Sequence, residues 1–96
     1  MRPSVALERN REVVRDLALR YGALNPRIFG SVLYGTDQDG SDLDLLVDVV
    51  PGTHLFDLGG LQDELQELLG MKVDLLTPGD IPAKFRARLL SEARPI

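Results

Sequence analysis

The segment of residues 42–50, DLDLLVDVV, constrains the fold of this chain more than any other stretch. Its apolar residues alternate in position, which is the pattern of a β-strand with one face against a core. The opposite face begins with Asp42 and Asp44. Because like charges repel and a buried carboxylate without a partner is costly, two explanations stay open. The pair is either part of a solvated acidic turn or part of a group of carboxylates held together by a cation.

Two shorter patterns predict further strands. Residues 27–29 form a strand that stops at Gly30, because Pro26 blocks a helix and glycine favours a sharp turn. Residues 72–77, KVDLLT, form a third strand in which Asp74 lies on the face opposite to Val73. The loop TDQDG before Ser41 is expected to be a polar loop.

Apolar residues at helical spacing predict the helices that surround these strands. The predicted helices are a first one with Ser4 as N-cap and Gly22 after its last turn, a short one over residues 31–34, one over residues 55–69 and a last one capped by Asp80. The alternation of helices and strands predicts an α/β (α+β) fold, with a small mixed β-sheet of about three to four strands flanked by helices.

Composition limits the classes of protein to consider. The 96 residues are enough for one core, so we predict a single domain over residues 1–96. There is no cysteine for a disulfide or a thiolate metal site, and no apolar run approaches the roughly 18 residues of a membrane span. We expect a cytoplasmic protein without a membrane partner. The net charge of −4 argues against a nucleic-acid polymer as the main partner, because phosphate backbones are usually held by a basic face.

The aspartates define the candidate site. If the third strand lies beside the second, Asp74 joins Asp42 and Asp44 on one face of the sheet. Mg²⁺ and Mn²⁺ are the natural counterions of such a group, because hard cations take oxygen ligands and keep places for waters and phosphates. The alternative is an exposed acidic strand end next to an ordinary strand aspartate.

Gly30 and Ser31 mark a second feature at the end of the first strand. Glycine lets a phosphate approach the backbone, a serine hydroxyl can donate a hydrogen bond, and the free N–H groups of a following helix attract anions. Gly35 is expected to relieve crowding on the same loop. By itself this pattern is equally typical of a plain turn.

Taken together, these motifs resemble a known family. "GS", ten residues, "DLD" followed by a strand, and a later "VDLL" are similar to the nucleotidyltransferase superfamily that includes DNA polymerase beta. The chain resembles its smallest branch, the minimal nucleotidyltransferases, which are often paired as antitoxins with an all-helical HEPN protein in toxin–antitoxin modules. The resemblance covers nearly the whole chain and implies a nucleotidyltransferase fold.

The resemblance also implies roles for individual residues. Asp42, Asp44 and Asp74 are the expected catalytic residues and the ligands of two divalent ions, Mg²⁺ or Mn²⁺, with ATP as substrate. Asp74 is further expected to help deprotonate the acceptor hydroxyl. The expected nucleotide-binding residues are Gly30, Ser31, Gly35 and Ser41, of which Gly30 and Ser31 hold the phosphates.

One departure from the family concerns charge. Relatives carry basic residues after the serine, close to an Arg-x-Arg-Gly pattern, whereas this chain reads SVLYG. The other basic residues that could neutralise a triphosphate are Arg27, Lys72, Arg86 and Arg88, although solvated surface explains each of them more simply. Tyr34 is expected to pack against the protein rather than to stack on a base.

Other motifs fit poorly. An EF-hand loop beginning at Asp37 would need glycine at its sixth position and glutamate at its twelfth, and the chain offers neither. In aspartyl-phosphate phosphatases the apolar strand precedes the Asp-x-Asp motif, whereas here the strand follows it. His54, the only histidine, is expected at the surface or at a helix cap.

Two functions from different classes remain. The first is an enzyme that transfers a nucleotide, AMP from ATP, to a hydroxyl of a partner protein, since a chain this short has no second lobe to grip an acceptor. The second is an antitoxin-like subunit with a degenerate site that binds nucleotide and neutralises a helical partner by direct contact. The three aspartates favour the enzyme, and the missing basic residues favour the subunit.

Overall fold

In the computed structural model, which describes residues 1–96, the apolar strand lies in the interior of a sheet. The four strands are β1 (Ala23–Phe29), β2 (Leu43–Val49), β3 (Val73–Leu76) and β4 (Arg94–Pro95). Their order is β3-β2-β1-β4. β2 pairs parallel with β3 and antiparallel with β1, and β1 pairs antiparallel with β4. The predicted mixed α/β sheet is therefore confirmed.

Five helices and one 3-10 turn connect the strands. They are α1 (Pro3–Arg9), α2 (Arg11–Arg20), α3 (Gly30–Tyr34), α4 (Leu55–Leu69) and α5 (Ala83–Glu92), and the 3-10 turn covers Pro78–Asp80. No helix in the structure combines the length and the apolar character needed to cross a bilayer.

One face of the sheet carries the main hydrophobic core. Leu43, Leu45 and Val47 of β2 are at most 1% exposed and belong to one cluster with residues of α1, α2 and α4. Burying each such side chain contributes about 1.5–3 kcal/mol to stability. The alternation read from the sequence therefore fixes which face of β2 packs.

The opposite face of the sheet is covered more sparsely. Leu46 and Ile81 are fully buried, yet they lie outside the main cluster. The covering elements on this face are short: α3 lies against β1 and β2, and the 3-10 turn lies against β2. The carboxylates at the start of β2 belong to this face, so they remain half-buried.

The N-terminal helix was predicted as one element, and this is wrong. The structure has two helices that are interrupted at Asn10, whose side-chain amide donates to the Ala6 carbonyl. Ser4 is not the N-cap, because α1 begins at Pro3 and Arg2 occupies the cap position. Proline suits the first helical position, where its missing N–H would have no partner.

The C-terminal region also differs from the prediction. Asp80 does not cap the last helix; it ends the 3-10 turn, where its carboxylate accepts from the Thr77 N–H, and α5 begins only after Pro82. The chain then forms β4, which sequence periodicity could not reveal because the strand has only two residues. The cap role expected for His54 is confirmed, since it occupies the N-cap position of α4 and its backbone N–H donates to the Asp57 carboxylate.

Asp37, predicted to lie in a polar loop, is buried. Its side chain is 0% exposed, one carboxylate oxygen accepts from the Ser4 N–H at 2.9 Å, and the other lies 3.5 Å from the Arg2 guanidinium. Burial alone would raise the pKa of Asp37, but the hydrogen bonds from Ser4 and the Arg2 charge hold that pKa below its ordinary value. The loop that leads to β2 is therefore tied to the start of α1.

Replacing Asp37 by alanine tests this tie. Asp37→Ala leaves the Ser4 N–H without its partner, and we expect the free energy of unfolding at pH 7 to fall by about 1–3 kcal/mol. Urea denaturation measures the change. Asp39→Ala, in the same loop, is the control: its carboxylate is 84% exposed and pairs only with the N-terminal ammonium, a solvent-exposed pair whose loss should change the midpoint little. Equal midpoints for the two variants would show that the buried carboxylate does not hold the loop.

Candidate active site

The three aspartates singled out from the sequence lie together at one end of the sheet. Asp44 and Asp74 are register partners on the parallel strands β2 and β3, so their side chains leave the same face of the sheet. Asp42 lies two residues before Asp44 and one residue before β2 begins. The structure thus brings all three to one end of the sheet, while their roles as metal ligands stay a prediction.

The crowding of carboxylates changes the acidity of Asp44. Burial, a hydrogen bond shared with the Asp74 carboxyl and the negative charges of Asp74 and Asp42 raise the pKa of Asp44 to about 6. Burial is the largest of these causes, and Lys72 opposes them. Burial and the neighbouring negative charges both disfavour the ionised form of Asp44, and a bound cation would favour it.

Lys72 is the nearest positive group to this cluster. Its Nζ atom lies 3.7 Å from Asp42 Oδ2 and 3.9 Å from Asp74 Oδ1. As the side chains lie, no group of three carboxylate or imidazole side chains has the geometry of a metal site. One exposed ammonium group balances only part of the charge of three carboxylates, and exposed pairs of this kind stabilise a protein weakly.

Gly30 forms the wall of the site on the β1 side. Its φ is +68°, in the left-handed region that favours glycine. A Cβ atom at this position would lie 2.2 Å from Asp44 Oδ2 and 3.0 Å from Asp44 Cγ. The position therefore requires glycine for two reasons, the backbone angle and the carboxylate that fills the space of a side chain.

The other predicted nucleotide-binding residues, where they form hydrogen bonds, do so with residues close to them in sequence. Ser31 follows Gly30 in α3, and its carbonyl accepts the Thr36 N–H. Ser41 closes the loop before Asp42, since its hydroxyl accepts the Gln38 N–H at 2.8 Å. Gly35 was expected to relieve crowding, and this is wrong: nothing lies within 4 Å of a Cβ placed there. Gly35 instead ends α3 in the left-handed conformation.

Four basic residues were considered as groups that could neutralise the charge of a triphosphate. Of these, only Lys72 lies close to the three aspartates. Arg27 pairs with Asp48 at 3.1 Å, and Arg86 donates to the carbonyls of the turn before α5. Arg88 lies near Glu92 on α5, where both border a cleft. The sequence could not distinguish among these residues, because each has the same charge and none belongs to a local motif.

The cleft was not predicted from the sequence. It has a volume of about 270 Å³ and lies between α3 and α5, with Phe29 and Gly30 among its lining residues. Tyr34, which was expected to pack, is 61% exposed at this cleft, and its hydroxyl donates to Glu92 across it. The available sequence signal was the row of apolar residues on α3 and α5, which looked like ordinary core positions.

Comparison with known proteins now identifies the family. The nucleotidyltransferase domain profile matches residues 9–96, so this chain belongs to the nucleotidyltransferase domain family. Over 77 residues it is 39% identical to the Methanocaldococcus jannaschii protein named "Putative protein adenylyltransferase MJ0435". That similarity covers 80% of this chain and 83% of the relative.

Solved structures show the same fold. A structure described as "Structure of putative minimal nucleotidyltransferase" superposes with a TM-score of 0.87 at 39% identity, over 97% of this chain and 95% of that one. A second, described as "Crystal structure of the toxin-antitoxin with AMP-PNP", has a TM-score of 0.75 at 19% identity, over 90% of this chain and 71% of that one. At that identity the second likeness shows the fold alone.

Gly30→Ala and Gly35→Ala separate the two reasons for glycine at position 30, which are the positive φ and the close Asp44 carboxylate. Both positions have a φ near +70°, so each alanine should cost about 1–2 kcal/mol of backbone strain. Only the Gly30 variant places a methyl group against Asp44. We expect the Asp44 pKa, measured by ¹³C NMR of the carboxyl carbons, to change in Gly30→Ala and to remain near 6 in Gly35→Ala. The same Asp44 pKa in both variants would contradict the close contact.

The raised pKa of Asp44 predicts a pH dependence of stability in the metal-free protein. Because the folded-state pKa of about 6 exceeds the ordinary value of 3.8, the folded state binds this proton more tightly than the unfolded state. The resulting stabilisation is full below about pH 4 and is lost as the pH rises through 6. Urea midpoints between pH 4 and 7, measured in EDTA, should show this loss.

Two variants isolate that contribution. Asp44→Asn lacks the titrating group, so its midpoint should fall less than that of the unmodified protein between pH 4 and 7. Asp63→Asn, which removes an exposed carboxylate on α4, should retain the full dependence. Identical pH profiles for the unmodified protein and Asp44→Asn would show that the carboxyl group is not perturbed.

Proposed function

We propose that this protein is a divalent-metal-dependent nucleotidyltransferase that transfers AMP from ATP to a hydroxyl group of a partner protein. The observation that carries the proposal is the in-register pair Asp44 and Asp74, with Asp42 beside it and Gly30 against it. Family membership supports the reaction class, and the name of the M. jannaschii relative supports protein as the acceptor.

The donor chemistry of the residues present suits a divalent cation. Asp42, Asp44 and Asp74 offer only carboxylate oxygens, which are the ligands that Mg²⁺ and Mn²⁺ prefer. Burial is the main cause of the raised pKa of Asp44, and the carboxylates of Asp74 and Asp42 add to it; a cation would offset their negative charge. When bound, two such ions would supply the positive charge that lets a triphosphate settle against carboxylates and that stabilises the attacking and leaving oxygens.

The protein's own residues then have distinct roles. Asp74 accepts the proton of the acceptor hydroxyl, whose oxygen forms a bond to the α-phosphorus of ATP. The bond from that phosphorus to the bridging oxygen of the β-phosphate breaks, and pyrophosphate leaves. Gly30 and Ser31 hold phosphate oxygens through the backbone N–H groups at the start of α3 and the Ser31 hydroxyl. Positioning of this kind supplies much of the catalysis in nucleotidyl transfer.

The acceptor is a protein that brings its own binding surface. Residues 1–96 form one small sheet with its helices, and the three aspartates lie only half-buried at one end of it, where a partner can approach. The fold neighbour described as a toxin–antitoxin with AMP-PNP supports a nucleotide and a partner protein for this fold. We therefore propose that the partner is an all-helical HEPN-type toxin and that this chain is its antitoxin.

A second candidate function is neutralisation of that partner by contact alone. It is favoured by α3, whose residues after Gly30 carry no positive charge to hold a triphosphate. It is also favoured by Leu55 and Phe56 at the start of α4, which are 86% and 94% exposed. The two side chains are adjacent, and contiguous exposed apolar area is typical of protein-binding surfaces.

Transfer of radioactivity separates the two functions. We expect ATP labelled at the α-phosphate to label the partner in the presence of Mg²⁺, whereas ATP labelled at the γ-phosphate should not. Asp44→Asn should reduce the rate at least about 100-fold, since even outer partners of metal ligands change activity by 10–100-fold. Asp48→Asn, on the same face of β2 but paired with Arg27, is the matched control and should retain transfer.

The remaining outcomes are also informative. Equal labelling by the unmodified protein and Asp44→Asn would exclude the aspartates as the reaction site. Co-purification of the two proteins without any labelling would favour neutralisation by contact. Labelling from the γ-phosphate would indicate phosphoryl rather than nucleotidyl transfer.

A further inference from the structure

The cleft between α3 and α5 has the surface of a binding site. Its apolar walls come from Leu33 and Tyr34 on α3 and from Phe85 and Leu89 on α5. Two of these side chains, Tyr34 and Phe85, are 61% and 51% exposed although they face a concave surface. Aromatic rings left exposed in this way retain apolar area that a ligand can cover.

The cleft opens next to the aspartates. Phe29, which lines it, is the antiparallel register partner of Asp44, so both side chains leave the same face of the sheet. Gly30 belongs to both places, since it lines the cleft and contacts the Asp44 carboxylate. On the other side of Asp44 lies Asp74. The order across the sheet is therefore Asp74, Asp44, cleft.

We propose that this cleft binds the base of the nucleotide, a purine with an exocyclic amino group, while the aspartates lie at its phosphate end. The inference rests on the proposed function and adds the part of the substrate that the aspartates and Gly30 do not contact. It also assigns a role to Phe85, Arg88 and Glu92, which no sequence motif indicated.

Distances across the sheet favour the base over the acceptor as the occupant. Neighbouring strands are about 5 Å apart, so the cleft lies about one strand from Asp44 and about two strands from Asp74. An acceptor held in the cleft would place its hydroxyl far from Asp74, the residue proposed to take its proton. A nucleotide whose base occupies the cleft reaches Asp44 with its phosphates and leaves the β3 side open to the acceptor.

The chemistry of the cleft matches a purine. Its volume of about 270 Å³ is below the usual range for whole drug-sized ligands, which suits a single ring system rather than an entire nucleotide. The rings of Tyr34 and Phe85 can stack on a base. At the rim, the Glu92 carboxylate can accept from an amino group, and the Arg88 guanidinium can donate to a ring nitrogen.

Equilibrium binding in Mg²⁺ buffer tests the inference with two probes, ATP and inorganic triphosphate, which lacks a base. Phe85→Ala removes a stacking surface and should weaken ATP binding about 10-fold. It should leave the affinity for triphosphate unchanged. Leu19→Ala is the control, because this leucine is 62% exposed on α2 and does not line the cleft. Its affinities for both probes should equal those of the unmodified protein.

Glu92→Leu provides a second variant, of similar size, that removes the hydrogen-bond acceptor. It should weaken the binding of ATP but not of purine riboside triphosphate, the analogue without the amino group. Circular dichroism shows whether both variants are folded. Should either fail to fold, the comparison of ATP with inorganic triphosphate on the unmodified protein still decides, since a bound base must make ATP the tighter ligand.

The opposite outcomes separate this inference from the proposed function. Equal affinities for ATP and triphosphate on the unmodified protein would overturn the base site and leave the transferase proposal intact. An unchanged ATP affinity in Phe85→Ala, with a raised KM for the acceptor protein, would place the acceptor in the cleft instead. Failure of the unmodified protein to bind either probe would overturn both proposals.

Discussion

The site depends on the contact between the Asp44 carboxylate and the backbone of Gly30, with the Asp74 carboxylate on the other side. Carboxylates one strand apart repel, and burial increases the cost of their charge. As a result, the pKa of Asp44 is raised, and the nearby ammonium group of Lys72 offsets part of the negative charge. Neither removes the excess of negative charge. Burial and the neighbouring carboxylates both disfavour an ionised Asp44, and a bound cation would offset them, which is the physical reason for the metal-dependent chemistry that we propose.

The two faces of the sheet divide stability from function. The face with Leu43, Leu45 and Val47 is closed by three helices and forms the main core. The opposite face receives the short α3, the 3-10 turn and α5, so the carboxylates and the neighbouring cleft remain accessible. A site that must admit a nucleotide needs such an open face, and the packing on the other side supports the strands that position it.

The features predicted well were those carried by neighbouring residues. The alternation in β2, the turn at Gly30 and the end of α2 before Gly22 follow from local backbone geometry and were found in the structure. The failures involve distant partners. Asp37 is buried because Arg2 and Ser4, at the start of α1, approach it, and β4 exists because two residues pair with β1. Tyr34 is exposed because α5 stands away from α3 across the cleft.

The sequence by itself determined that Asp42 and Asp44 share one face of a strand, because side chains alternate along any extended chain regardless of what surrounds it. It also determined that a glycine ends β1. Only the tertiary structure decided that Asp74 lies beside Asp44, that Gly30 touches its carboxylate and that a cleft opens next to them. These contacts join strands and helices that are far apart in sequence, and their registers depend on how the whole core packs rather than on local preferences.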